Sequence, residues 1–393
     1  MTVPLELPEL TPDEAAHSAA LVDLVRTTIE SARGWIDFGE FMNLALYAPG
    51  LGYYSAGARK FGAAGDFVTA PEVAPVFSRC LAVQCADVLL ELGAEARVLE
   101  LGAGSGVMAA DLLAELERLG ALPAEYCILD LSADLRDRQR DTLAERVPHL
   151  LARVRWLDGL PEPFTGMIVA NEVLDALTVE RFAIRDGEVN ALGVAIESGR
   201  LVLREVRAGP RLNAAVRQVE HDTGTALPDG YESELRMGLA PWLQSIAECL
   251  VRGVLLFIDY GLPRREYYTA ERSRGTLLCH FRHRFHDDAL VRVGLQDITA
   301  WVDFTAVAAA AQQAGCEIAG YTTQAHFLIG CGLGDFVANV EGLDLVQRLN
   351  LSRQALMLTL PGEMGERFKV IALGRNFDTP LRGFAVRDLR HTL

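Results

Sequence analysis

Apolar residues along the chain alternate between two rhythms. Short runs of strand length (Val98, Leu99 and Leu101; Tyr126–Leu131; Met167–Ala170; Val251–Tyr260) are separated by stretches with helical spacing. Met108, Leu112, Leu113 and Leu116 recur at helical intervals, as do Leu135, Gln139 and Leu143. Val154-Arg155-Trp156, Cys316–Tyr321 and Phe368–Leu373 complete a set of seven strands. Strands alternating with helices predict a parallel sheet with right-handed crossovers.

Residues 14–33 have helical spacing, and Gly34 stops them. Residues 35–72 are rich in both glycine and aromatics, the composition of a loop tucked into a core or of a pocket lid. Thr69-x-x-Glu72 reads as a capping box with Pro71 in the first turn, opening a helix to about Leu92. Two segments break the rhythm. Residues 180–208 alternate around the turn signals Asp186-Gly187 and Ser198-Gly199, which predicts an inserted β-meander. Residues 210–250 return to helix, and 262–304 are long and polar. The expected fold class is α/β, with a mostly parallel seven-stranded sheet, a helical N-terminal extension and inserted β and helical segments. The expected division is 1–92 as a helical or lid region and 93–393 as the core, with insertions at about 180–245 and 262–303.

The turn after the first sheet strand carries the chemistry. Gly102, Gly104 and Gly106 alternate, Val107 stands where a dinucleotide fingerprint has its third glycine, and Glu100 lies two residues before the first. This E-x-G-x-G-x-G pattern resembles motif I of class I S-adenosyl-L-methionine (SAM) methyltransferases. It suits a cofactor without a pyrophosphate, whose ammonium or sulfonium charge a nearby carboxylate can attract.

The composition narrows the partners. Among 393 residues the net charge is −16, which disfavours nucleic acid and anionic membrane and suits a basic protein. No apolar run is long enough for membrane insertion. The acidic start, with Glu6, Glu9, Asp13 and Glu14, resembles neither a secretory signal nor a mitochondrial presequence. Seven cysteines without a C-x-x-C pair read as small core residues in a reducing, cytoplasmic setting. His280, His283 and His286 are spaced by three, unlike a helical or Cys/His metal site, so no metal is expected and the segment reads as a polar wall of the substrate entrance.

Longer strings resemble the MidA-type family of SAM-dependent methyltransferases, over roughly Phe38 to Gly374. They include Leu46-Tyr47-Ala48-Pro49, Gly52-Tyr53-Tyr54, Gly65-Asp66-Phe67-Val68-Thr69-Ala70-Pro71-Glu72, Asn171-Glu172-Val173-Leu174-Asp175-Ala176-Leu177 and Ile258-Asp259-Tyr260-Gly261. Leu131, Val173, Thr178 and Trp301 depart from the family pattern, which bears on substrate choice. The resemblance implies a class I methyltransferase, Rossmann-like fold, SAM as cofactor and arginine of a partner protein as methyl acceptor. That family includes an arginine methyltransferase of respiratory complex I assembly, so a respiratory-complex subunit is a candidate partner; a homodimer is compatible with it. It also places Asp66, Thr69 and Glu72 against SAM.

Asp130, at the end of the second strand, is placed for the ribose hydroxyls. Asn171, Glu172 and Asp175 follow the fourth strand, at the rim where such sheets bind ligands. Asn171 is expected beside the cofactor. Glu172 and Asp175, three apart, share a face if helical, and with Asp259 they are the expected catalytic carboxylates. Paired carboxylates can grip a guanidinium fork and take up the proton released on methylation.

Overall fold

Seven strands build the main sheet: β1 (Arg97–Leu101), β2 (Tyr126–Leu129), β3 (Val154–Leu157), β4 (Phe164–Asn171), β5 (Leu250–Leu262), β6 (Glu317–Thr323) and β7 (Phe368–Arg375). Their spatial order is β3-β2-β1-β4-β5-β7-β6. The first five run parallel, and β7 is antiparallel to both β5 and β6. Val302–Asp303 adds a short parallel pairing at the end of β5. The computed structural model describes residues 7–55, 69–339, 342 and 344–393. Asp66 lies outside the described residues.

Central strands of such a sheet are covered on both faces and read as continuous apolar runs. Met167, Ile168 and Val169 of β4 are accordingly all buried. The helices α1 (Pro75–Leu92), α2 (Val107–Arg118) and α3 (Ala133–Arg146) contribute Phe77, Leu81, Leu112, Leu113 and Leu143 to the same core as Val98 and Met167. Each fully buried side chain of this size stabilises the fold by about 1.5–3 kcal/mol.

The chain falls into two compact units. The sheet unit comprises Val68–Leu174, Ala240–Leu262 and Val302–Leu393, so α1 belongs with the sheet. The second unit gathers Met1–Phe67, Asp175–Leu239 and Pro263–Trp301.

In the second unit, Glu180–Arg185, Glu188–Glu197 and Arg200–Arg207 form the expected meander. Its hairpins turn at Asp186-Gly187 and Ser198-Gly199, all four at positive φ, as two-residue hairpin loops require. Glu232–Leu235 and Trp35–Asp37 extend this antiparallel sheet. A smaller sheet joins Leu278–Phe281, Arg284–His286 and Asp297–Thr299. The helices Pro12–Ser31 and Phe38–Tyr47 supply Leu21, Val25, Phe38, Phe41 and Leu46 to this unit's own core.

Three local expectations are corrected. The helix predicted from Thr69 to Leu92 is two helices, Ala70–Val73 and α1, broken at Ala74 (φ −156°, ψ 125°). Pro75 is the reason, because a residue before proline is pushed out of the helical region. Thr69 forms no side-chain cap bond, so the capping box is absent. Residues 210–250 are not all helical: Glu232–Leu235 is a strand between the helices Pro210–Thr223 and Leu239–Glu248.

Candidate active site

Strand register sets the site. Leu101 of β1 pairs with Leu129 of β2 and with Ala170 of β4, and Asn171 pairs with Ile258 of β5. The residues that follow these pairs, Asp130, Gly102, Asn171 and Asp259, therefore line one carboxyl edge of the sheet.

The glycine turn is drawn tightly over that edge. Gly102, Gly104 and Gly106 all have positive φ. At Gly106 (φ +83°) an added Cβ would lie 2.9 Å from the Gln139 Cα of α3, so only glycine fits. At Gly102 it would lie 3.1 Å from Val173 Cγ2. Gln139 is fully buried, and its Nε2 donates to the Gly104 carbonyl (3.1 Å) and to Asp130 Oδ2 (2.9 Å). Its Oε1 accepts from Trp156 Nε1 (3.0 Å). One amide thus ties the turn to the strand-end carboxylate. Thr142, one helical turn on, donates to the Ser105 carbonyl (2.8 Å). Asp130 Oδ1 accepts from Ser132 N (3.0 Å), which fixes the carboxylate's plane.

Glu100 sits under the turn with no exposed surface and accepts from the Tyr126 hydroxyl (2.6 Å). Burial pushes its carboxyl up to about 7; the Tyr126 bond opposes this and Asp130 adds to it. Glu72 Oε1 accepts from Ser105 Oγ (2.8 Å), so this residue, read as a cap, reaches the glycine turn instead. Burial raises its carboxyl too.

After β4 the chain bends rather than entering a helix. Glu172 has φ 53°, and its N–H donates to the Ile258 carbonyl (2.9 Å). Left-handed backbone in a bulky residue costs of order 1–3 kcal/mol and concentrates at functional sites. Asn171 Nδ2 donates to Glu172 Oε1 (3.0 Å). Asp259 is fully buried; its Oδ2 accepts from Leu174 N (2.9 Å) and its Oδ1 from Tyr260 N (2.9 Å). Expected among the chemical groups, Asp259 clamps the bend from beneath. The shared helical face expected for Glu172 and Asp175 does not form, because no helix covers residues 172–178.

Asp175 belongs to the second unit. There Arg236 donates to the carbonyls of Asp175 (2.9 Å), Ala300 and Trp301. Tyr47 donates to the Ala176 carbonyl (2.8 Å) and stacks on Tyr54, whose hydroxyl donates to Asp297 (3.0 Å). Burial, with Asp297 and Asp175 nearby, drives the Tyr47 phenol far up, so it remains a donor. His280 and His286 lie on the paired strands of a hairpin, and among the described residues no group of three metal-ligating side chains gathers.

Gln139, Ser105 and Arg236 are the polar contributors that pattern alone misses. Gln139 left one signal: an amide at the buried interval between Leu135 and Leu143.

The arrangement suits a cofactor rich in donors. Among the described residues, Glu72 Oε2 and Asn171 Oδ1 are buried acceptors without a hydrogen-bond partner. Leaving such an atom unpaired costs about 1–3 kcal/mol. SAM offers an ammonium, ribose hydroxyls and an adenine amine as donors.

Comparison with known proteins agrees. The model of the family described as "Putative S-adenosyl-L-methionine-dependent methyltransferase" matches residues 80–322. A crystal structure of a Burkholderia thailandensis protein bound to S-adenosyl-homocysteine is similar, with a TM-score of 0.94 and 44% identity, covering 99% of this chain and 100% of that one. The Drosophila melanogaster protein arginine methyltransferase NDUFAF7 homolog, mitochondrial, is 28% identical over 95% of this chain and 89% of its own length. The Homo sapiens protein arginine methyltransferase NDUFAF7, mitochondrial, is 27% identical over 86% of this chain and 80% of its own length. The matched region contains the glycine turn and the strand ends beside it, and the chain belongs to the MidA-type family of S-adenosyl-L-methionine-dependent methyltransferases.

Proposed function

We propose that this methyltransferase acts on an arginine side chain of a partner protein. The observation that carries the reading is the bend at Glu172, held at positive φ on the carboxyl edge of the sheet beside the glycine turn. The names of the two relatives support the acceptor type.

Bound SAM supplies an electrophilic methyl group. Gly102, Gly104 and Gly106 would give it a turn without side chains, Asp130 would accept from the ribose hydroxyls, and Glu72 and Asn171 would receive its remaining donors. The family resemblance adds Thr69 to the residues that would hold SAM. Glu172 would accept from the guanidinium fork, orient one nitrogen and take up the proton released as the new N–C bond forms and the sulfonium S–C bond breaks, leaving S-adenosyl-homocysteine. Asp259 positions Glu172 through the bend. The net charge of −16 favours a basic partner, and the family resemblance favours a respiratory-complex subunit. Seven buried free cysteines support a reducing compartment, which we take to be the cytoplasm.

Tritiated SAM incubated with cell lysate tests this reading. Label on arginine in a protein band supports it; label only in small molecules, or SAM binding without label, overturns it. Glu172→Gln is expected to lower kcat by about 10²–10⁴-fold with SAM affinity unchanged. Unchanged turnover would remove Glu172 from the chemistry.

A further inference from the structure

The helix Leu345–Thr359 is apolar on two opposite sides. Leu351, Ala355 and Leu358 pack into the core of the sheet unit. On the other side Leu345, Leu349, Leu356 and, at the C-cap, Leu360 are 71%, 61%, 53% and 45% exposed, with Val346 beside them. Spacings of four and seven residues bring these leucines to one stripe. An exposed apolar stripe of this kind, interrupted at its midpoint by Ser352 and Arg353, marks an interaction surface.

The order of the leucines identifies the occupant. Their intervals run four, seven, four, so the stripe reads the same in both directions about a midpoint between Ser352 and Arg353. An antiparallel copy of the helix would set Leu345 against Leu360 and Leu349 against Leu356. Two-fold interfaces require this self-complementarity, in which residue i meets j and j meets i. The helix's only charges are Arg348 and Arg353, so the pairing buries no carboxylate. Arg348 falls opposite Met357. Arg353, exposed near the axis, reaches water on its long stem.

We propose that this helix is the contact surface of a homodimer, two copies packing antiparallel through Leu345, Leu349, Leu356 and Leu360. One helix face is small beside the about 800 Å² per partner of a standard interface, so association depends on concentration. Added salt screens the two Arg353 side chains and strengthens it.

Sedimentation velocity on the full chain, from low to several hundred micromolar, tests the proposal. Expected are a dimer at high concentration, tightened by salt, and a monomer throughout for the double variant Leu349→Glu/Leu356→Glu with an unchanged circular dichroism spectrum. Register is read by cross-linking, since all seven native thiols are buried. Mixed Leu345→Cys and Leu360→Cys proteins should form a disulfide dimer. Leu345→Cys alone should not, because its two copies lie about 22 Å apart along the paired helices. A monomer at every concentration, a dimer that survives the double variant, association weakened by salt, or cross-linking of Leu345→Cys alone would each overturn the proposal.

Discussion

Single atoms decide the binding edge. Gly106 has no substitute, because any side chain meets α3 backbone at 2.9 Å while the residue sits at φ +83°. Gly106→Ala should therefore lose about 1–3 kcal/mol of stability and at least tenfold in SAM affinity, measured by denaturant unfolding and calorimetry. Gln139→Leu keeps the volume but strips Asp130 and Gly104 of a shared donor. It should weaken SAM binding by about tenfold; an unchanged dissociation constant would show that the amide only fills space. The glycines were readable as letters, since their spacing is local. The role of Gln139 was not, because its three partners come from separate strands and loops.

At the scale of elements, the first strand carries a titrating acid in the core. Glu100 holds its proton to about 7 in the folded chain, against about 4.3 when unfolded. Its contribution to stability is thus complete below the unfolded value and is lost as pH rises through 7, an effect on the order of 3 kcal/mol. Glu100→Gln, which resembles the protonated form, should gain stability relative to the parent between pH 5 and pH 8. Denaturant midpoints of both proteins at the two pH values check this, and a pH-independent difference would rule it out. Asp259→Asn leaves one acceptor and one NH2 group where the carboxylate accepts from two N–H groups, those of Leu174 and Tyr260. The bend should loosen, with kcat falling more than SAM affinity. Strand and helix identities follow from apolar period, so β1 to β7 were legible. The break at Ala74 was also written locally, in Pro75, but the apparent Thr69–Glu72 box masked it. Glu72 prefers Ser105 because that hydroxyl lies in the buried turn, which no local pattern reveals.

Across the whole molecule, the chain crosses between its two units repeatedly. The break in rhythm after residue 180 marks an insertion. That Trp35–Asp37 closes the inserted sheet by pairing with Gly193–Ala195 depends on contacts some 160 positions apart. All seven cysteines are buried. They should stay unreactive toward a thiol reagent in the native protein and titrate together on unfolding; fast reaction of any one in native buffer would contradict this packing.

The sequence by itself determined the alternation of strands and helices, the glycine turn and the acids at the strand ends, because each rests on spacing within a few residues. Tertiary structure alone decided which acid does what. Glu100 became a sealed core residue, Asp259 a clamp, and Glu172 a strained bend residue at the sheet's edge. A carboxylate's role is set by the donors and the water around it, and those come from distant parts of the chain.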